Sequence, residues 1–410
     1  MPYTVSGIDV HKKVLMVVVC DVTEEELDFE ARRFGTTASE LGRLAAWLQQ
    51  RGTQEAVMES TAQYWKPVWQ ALEPHMRLHL AQAYSNRAPR GRKHDFADAK
   101  RLVRRLVAGE LILSFVPEPE QRVWRTVTRM KCQLTRDRVR LQNQVEALLE
   151  EMRIKLSSVI SDLLGASGLR ILRAIAEGVT DPAKLALLGD DRLRCTKAQL
   201  ADALTGEPQQ MHQELLRLYL QRLELIDQQI ETLNRMTAQA MKVHQDAVVR
   251  LAETPGFGVD SAQQVIAEVG PQAKTFATAS RLCSWVGICP GREESAGENH
   301  NNRSAKGNKY LRRILSQAAH AAVKTKGSHF QAVFRRLLPR LGYNKAIWAI
   351  AHRLCRLVWK ILHDGVRYVE FGEVTNPKAQ KRRVRRMVQT LRKLGYEVQL
   401  TPTSPVAAPA

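Results

Sequence analysis

The tripeptide Pro117-Glu118-Pro119 divides a chain whose two sides follow different periodicities, and that division limits the folds open to it. Before it, short β-rich runs alternate with helical patterns. Thr4 to Val22 reads as a strand or hairpin, Thr37 to Gln50 as a helix, Glu55 to Glu59 as a strand, Ala62 to Leu72 as a helix and Met76 to Ala81 as a strand. A helix from about Phe96 to Ala108 and a short strand from Leu111 to Phe115 complete an α/β pattern. From Gln121 onward the chain becomes long, charged, Gly-poor helix. On a heptad frame, Val127, Leu134, Leu141, Val145, Leu148 and Met152 take core positions, with Lys131 and Arg138 interrupting. A second run, Leu216, Tyr219, Leu223, Ile226, Ile230 and Leu233, alternates steps of three and four without a miss. Two such helices predict a coiled-coil arm, closed either as an antiparallel hairpin within the chain or as a seam between protomers.

Between these helices, Ser157 to Gly206 reads as short helices broken by Gly165, Gly168, Gly178 and Pro182. After Glu253 the turn Thr254-Pro255-Gly256-Phe257-Gly258 opens a helix to about Val269, and a short helix leads to Val286. A polar, Gly-rich loop then runs from Pro290 to Asn308, followed by amphipathic helices from Lys309 to Asp364. A basic helix around Ala379 to Leu394 precedes a Pro/Ala end that reads as disordered. The expected domains are therefore an α/β domain over 1–118, a helical coiled-coil region over 119–250, a mostly α-helical domain over 251–365, and a basic helix with a flexible tail over 366–410.

No stretch approaches the ~18 consecutive apolar residues of a membrane helix, and the first apolar run, Val14 to Cys20, leads directly into the acidic stretch Asp21 to Glu26. A cytoplasmic protein without a membrane partner is expected. Six cysteines without a CxxC pair read as reduced thiols, and Cys283, Cys289 and His300 fit no usual zinc spacing. Lys and Arg number 62 against 42 Asp and Glu, a net charge of +20 that favours a polyanionic partner. The excess is clustered: residues 86 to 105 hold eight Lys/Arg against two Asp, and 378 to 393 hold eight with no acid. Clusters of that kind neutralise nucleic-acid phosphates, although a solvated basic face has the same composition.

Four acids fall where their carboxylates can converge. Asp9 lies inside the first β run, Glu59 closes the strand Ala56-Val57-Met58-Glu59, and Asp95 and Asp98 lie three apart at a helix start, on one face. Hard divalent cations take oxygen ligands, and a pair of Mg²⁺ ions can stabilise both the attacking and leaving oxygens when a phosphodiester exchanges. A strand-end Asp and a helix N-terminal acid are each ordinary alone; the combination is the signal. Arg90, Arg92, Lys93, Lys100 and Arg101 surround the last pair and suit a site that draws in a DNA backbone.

The turn at Pro255 is like half of a helix-hairpin-helix, in which amides at a helix N-terminus hold a phosphate, although an ordinary turn explains it as well. Downstream, Ser295 sits on the small-residue loop Cys289-Pro290-Gly291-Arg292-Glu293-Glu294-Ser295-Ala296-Gly297, followed by Arg303-Ser304-Ala305-Lys306-Gly307-Asn308-Lys309. A serine beside several cations can attack phosphorus while they hold the transition-state charge; a solvated loop serine is the plain alternative.

In order, Gly7-Ile8-Asp9-Val10-His11-Lys12, Met58-Glu59-Ser60-Thr61, Lys93-His94-Asp95-Phe96-Ala97-Asp98-Ala99, Thr254-Pro255-Gly256-Phe257-Gly258 and the block from Glu294-Ser295-Ala296-Gly297 to Lys306-Gly307-Asn308 resemble the DEDD transposases of bacterial insertion sequences, the bridge-RNA-guided recombinases. The resemblance spans roughly residues 4 to 365. It implies a RuvC/RNase H-like fold for 1–118 and a C-terminal transposase domain over 251–365. It implies that Asp9, Glu59, Asp95 and Asp98 bind Mg²⁺ (or Mn²⁺) and that Ser295 is a nucleophile forming a phosphoserine link to DNA, with Ser304 a second serine close by. It also implies a structured guide RNA pairing with donor and target double-stranded DNA, and dimers that assemble to a tetramer in which one protomer's serine completes another's acidic site. His94 stands where many members have Thr. Candidate phosphate contacts, chosen from charge, are Arg303, Lys306, Lys309 and Arg312 near the serine, and Arg382, Arg383, Arg385 and Arg386 in the tail. Two rivals remain: a RuvC-type junction nuclease that uses metal-activated water, and a non-catalytic nucleic-acid-binding scaffold whose acids are structural.

Overall fold

The run Val14–Val22 (β2) is apolar on both faces and its neighbour Tyr3–Val10 (β1) is buried on both, so a sheet built on them must be covered on both sides. The computed structural model meets that requirement. It describes residues 3–22, 27–59, 62–83, 96–290, 304–370, 384–385, 387–392 and 397–400, with the backbone of 293–295 and 298–301. Two units are present, Met1–Glu118 and Pro119–Ala410.

In the first unit, β1 and β2 form an antiparallel hairpin, and Leu27–Gly35 (β3) pairs antiparallel with β2. Ala38–Gln50 (α1) leads to Glu55–Glu59 (β4), which lies parallel to β1. Trp65–Leu72 (α2) leads to Arg77–Ala81 (β5), parallel to β4. The mixed sheet has the order β3-β2-β1-β4-β5. One face packs Ile8, Leu15 and Val17 against Leu44 and Leu48 of α1 and Val68 and Leu72 of α2. The other packs Val5, Val18 and Cys20 against Ala99 and Val103 of Ala97–Val107 (α3).

Two expectations change here. Leu111–Phe115 is not a strand among the described residues: it meets β5 at an isolated bridge, Leu113 to Ala81, with Gln82 donating to the Ile112 carbonyl and Ser114 to that of Leu80, and extends no further ladder. Leu27–Gly35, read as no element, is an edge strand; four residues of Leu-Asp-Phe-Glu-Ala-Arg-Arg-Phe-Gly are charged because much of that edge faces water.

In the second unit, Pro119–Glu151 (α4) and Gln210–Ala240 (α9) pack together within the chain. Leu141, Val145, Leu148 and Met152 meet Leu216, Leu223 and Ile226. Trp124 stacks edge-on to His244, Arg138 pairs with Asp227 at 2.7 Å, and the Glu207 amide donates to the Met152 carbonyl at 3.0 Å, so the two helices run antiparallel. Between them, Leu156–Val159 (α5), Ala166–Ala176 (α6), Pro182–Leu187 (α7) and Lys197–Ala203 (α8) close over the same apolar core. The heptad interruptions have partners: Arg138 takes Asp227, and buried Lys131 forms an ion pair with Asp260.

The rest of this unit comprises Gln245–Ala252 (α10), Val259–Val269 (α11), Ala279–Val286 (α12), the hairpin strands Glu293–Ser295 (β6) and Glu298–Asn301 (β7), Lys309–Ala322 (α13), His329–Leu341 (α14) and Tyr343–His363 (α15). The loop expected over Pro290–Asn308 thus contains an antiparallel two-stranded hairpin with Ser295 opposite Glu298. Of the basic tail helix, the described residues 384–385 and 387–392 are helical. Among the described residues, no helix is long and apolar enough to cross a membrane, and no group of three or more His, Cys, Asp or Glu could hold a metal ion.

Candidate active site

Parallel pairing of Ile8 with Met58 places Asp9 and Glu59 at neighbouring positions where β1 and β4 end. Side chains on a strand alternate, so Asp9 shares a face with Val5 and Gly7, and Glu59 shares one with Val57. That is the face α3 covers: Val5 packs on Ala99 and Val103, and Val57 on Leu102. Asp98 lies in the first turn of α3. Three expected carboxylates, on two strands and a helix, are therefore brought to one edge of the sheet. Gly7 permits the approach: a Cβ there would lie 2.3 Å from the Ala99 carbonyl oxygen and 2.8 Å from Val103 Cγ2.

Each carboxylate has a basic side chain beside it. Arg101 donates to Asp98 Oδ1 at 2.6 Å and lies 3.9 Å from Glu59 Oε2, so one guanidinium spans two of the acids. His11 Nε2 is 3.1 Å from Asp9 Oδ2. The sequence reading grouped Arg101 with surface phosphate contacts; its spacing three residues after Asp98 on a helix was the available signal for the pairing. The His11 contact carried no such signal. Asp95 lies outside the described residues, as do Arg90, Arg92 and Lys93.

The hairpin bearing Ser295 belongs to the second unit. Its backbone is described, while the side chain of Ser295, like those of His300 and Arg303, lies outside the described residues. Its flanks are well defined. Gly287, at φ +73°, ends α12, and a Cβ on Gly307 would lie 2.3 Å from the Val286 carbonyl carbon, so the two flanks of the hairpin touch through glycines. Arg312 donates through Nη1 to the Gly287 carbonyl and to the Ala305 carbonyl at 2.8 Å, through Nη2 to Ser304 Oγ at 3.4 Å, and stacks on Trp348. Its guanidinium is thus directed to the chain's own groups, whereas Lys306 and Lys309 are exposed. In the tail, Arg385 is exposed, and Arg382, Arg383 and Arg386 lie outside the described residues.

A polar cluster unforeseen from the sequence sits beside these flanks. Glu268, 2% exposed, accepts from Arg129 Nε at 2.8 Å and Nη2 at 2.9 Å and from Asn308 Nδ2 at 2.7 Å. Arg125 Nε lies 3.5 Å from the same carboxylate and donates to the Ala267 carbonyl, with Nη2 donating to the Glu268 carbonyl. Gln121 also donates to the Ala267 carbonyl. Residues 121, 125 and 129 thus form one face of α4 that satisfies the open carbonyls at the end of α11. Burial pushes the Arg125 guanidinium down to about 10, against the pull of Glu268. At Arg129 burial acts the same way, but the ionic hydrogen bonds to Glu268 outweigh it and raise the pKa.

Comparison with known proteins matches both units. Residues 6–154 match the DEDD transposase domain of IS110 type, and residues 249–335 match the transposase domain of the IS116/IS110/IS902 family. This chain carries IS110/IS116-family transposase domains. It is 28% identical over 309 residues, 74% of its own length and 81% of the other's, to a Pseudomonas aeruginosa protein named a probable family 20 transposase. It is 29% identical over 168 residues to the transposase for insertion sequence element IS1111A of Coxiella burnetii, covering 40% of this chain and 45% of that one. An uncharacterised 42 kDa protein of the Mycobacterium paratuberculosis insertion element IS900 is 25% identical over 183 residues, 43% and 45% of the two chains. The transposase domains make DNA the partner and DNA strand cleavage and transfer the class of chemistry, and the DEDD type implies a divalent metal.

Proposed function

We propose that this chain excises and inserts a mobile element by metal-dependent strand cleavage and exchange through a phosphoserine on Ser295, guided by an RNA that the element encodes. The observation that carries the reading is the placement of Asp9, Glu59 and Asp98 on the sheet face that α3 covers, near where two parallel strands end. The sheet order β3-β2-β1-β4-β5 is consistent with a RuvC-like fold.

The donors at this edge are carboxylate oxygens, which Mg²⁺ or Mn²⁺ accepts, and Arg101 already supplies positive charge between two of them. The donor type suits such a cation, and Asp95 is the fourth ligand of the proposal. When bound, the ions would stabilise the entering and departing oxygens of a phosphodiester. Ser295 Oγ forms a bond to phosphorus as the bond to a DNA oxygen breaks, and that oxygen leaves as a hydroxyl. A second DNA hydroxyl then attacks the phosphoserine, restoring the diester and returning the proton to Ser295. One phosphoester is exchanged for another at each step, so no external energy source is required. Arg90, Arg92, Lys93, Arg303, Lys306 and Lys309 contact phosphates in this reading, and the tail arginines Arg382, Arg383, Arg385 and Arg386 contact RNA or flanking DNA. Dimers assemble to a tetramer, the paired helices α4 and α9 serve as the coiled-coil arm, and the protein works in the cytoplasm on nucleoid DNA. The four-part division at 118, 250 and 365 belongs to the same proposal.

The test is to express the full chain with its element and flanking noncoding sequence, trap reactions with DNA, and map any protein–DNA adduct by mass spectrometry. An adduct on Ser295 that Asp9→Asn abolishes is the expected result. Cleaved DNA without an adduct, unchanged in Ser295→Ala, would establish a water-using nuclease instead.

A further inference from the structure

The hairpin bearing Ser295 leaves the fold between Gly287 and Gly307; Arg312 holds Ala305 and Ser304 on its downstream flank, and Asn308 ties that flank to the buried interior. Asn308 does three things there. Its Oδ1 accepts from the amides of Tyr310 and Leu311, both at 3.0 Å, which caps α13; its own amide donates to the Trp285 carbonyl at 3.3 Å; and its Nδ2 donates to buried Glu268 at 2.7 Å. Glu268 is in turn held by both nitrogens of the Arg129 fork, and Arg129 also stacks on Tyr310 at 4.6 Å. An N-cap needs only the side-chain oxygen. The donated hydrogen bond to Glu268 is therefore additional to capping, and it links the flank of the hairpin to the first part of α4.

We infer that Glu268, Arg129 and Asn308 are positioning residues, a buried clamp that fixes the downstream flank of the hairpin and so the placement of Ser295. This deepens the proposed function and rests on Ser295 being the nucleophile. Nucleophilic displacement at phosphorus depends on alignment, and a displacement near 1 Å lowers such rates by about a hundredfold. The hairpin meets the fold where Gly287 and Gly307 touch, with Arg312 on the Gly287 and Ala305 carbonyls, and the bond from Asn308 to Glu268 adds a tie from the buried interior. The paired charges explain why a carboxylate serves at position 268: it fills the Arg129 fork and still accepts from Asn308.

Asn308→Asp tests the clamp. Aspartate keeps the N-cap oxygen but removes the donor and sets a second carboxylate against Glu268. Hydrogen exchange over residues 288–308 should rise while the rest of the chain and the melting temperature stay close to wild type. The rate of Ser295 adduct formation at saturating DNA should fall between about tenfold and a hundredfold, with the DNA concentration for half-maximal rate unchanged. Pairing it with Glu268→Gln reverses donor and acceptor, and should recover the rate to within a few-fold. Should Asn308→Asp fold poorly, Asn308→Ser keeps a capping oxygen on a shorter side chain and removes the Nδ2 that reaches Glu268, without the added charge. Unchanged exchange at 288–308, or a rate unaffected by both variants, overturns the clamp. Absence of any adduct in the wild type would overturn the nucleophile assignment, and the exchange measurement would then decide by itself whether the clamp holds the hairpin.

Discussion

Replacing Gly7 by alanine probes the geometry on which the acidic site depends. The added Cβ would meet the Ala99 carbonyl oxygen at 2.3 Å and Val103 Cγ2 at 2.8 Å. Ordinary contact begins near 3.4 Å, so α3 must retreat by about 1 Å or the β1 backbone must buckle, and overpacking of this kind costs about 1–3 kcal/mol. Because Asp98 is carried on the first turn of α3 while Asp9 and Glu59 are fixed on the sheet, the retreat separates one ligand from the others. Misplacement of that size lowers rate by about a hundredfold. Urea denaturation and metal-dependent strand cleavage, measured together, should both show the loss, with activity falling more than the unfolded fraction explains. Gly42→Ala is the control: it lies on the exposed face of α1 with nothing within 4 Å of a Cβ, and should leave stability unchanged or raise it by up to about 1 kcal/mol. Wild-type stability and cleavage in Gly7→Ala would refute the argument that close approach of α3 assembles the site.

Asp9→Asn should abolish metal-dependent cleavage while leaving the far-ultraviolet circular dichroism unchanged, since a carboxylate is replaced by its near-isostere. Arg101→Gln removes a cation that shares Glu59 and Asp98; because such part-exposed pairs contribute about 0.2–1 kcal/mol, the Mg²⁺ concentration for half-maximal cleavage should fall roughly two- to fivefold, read from a metal titration. Arg125→Met leaves the Glu268 carbonyl without its donor while Arg129 and Asn308 still hold the carboxylate, so chemical denaturation should show a loss of about 1–3 kcal/mol. Burial and the hydrogen bond to Glu55 push Tyr3 up to about 12. Its proton is held more tightly in the folded state, so the stability it contributes is full below pH 10 and declines toward pH 12; Tyr3→Phe should remove that alkaline slope in denaturation profiles.

Most of the first unit was legible in the sequence because its elements are locally consistent. The run from Tyr3 to Val22 is rich in Val, Ile and Leu, with Val14 to Cys20 apolar on both faces and a polar turn at His11, Lys12 and Lys13, which leaves a buried hairpin as the solution. The edge strand Leu27–Gly35 was missed because an edge has one ladder neighbour and tolerates charge, so its alternation is blurred. The opposite error at Leu111–Phe115 has the same origin: local apolar content reads as a strand, but a strand exists only if a neighbour offers a ladder.

The acids were visible because their type and position matter more than their partners. What could not be read were pairings between residues distant in sequence. Arg129 and Glu268 are 139 residues apart, and Asn308 lies another 40 beyond. Lys131 interrupts the heptad frame that starts at Val127, and in the turns before that frame Gln121 and Arg125 are polar residues on a buried face, a flaw for a coiled-coil start. The flaw is the information. An apolar seam would bury the same surface, but it would leave the carbonyls of Ala267 and Glu268 without donors and Glu268 without a countercharge. Polar residues at helical spacing, interrupting an otherwise apolar face, therefore mark where α4 stops serving the helical pair and starts holding the end of α11. Through Asn308, the same contact reaches the flank of the hairpin that bears Ser295.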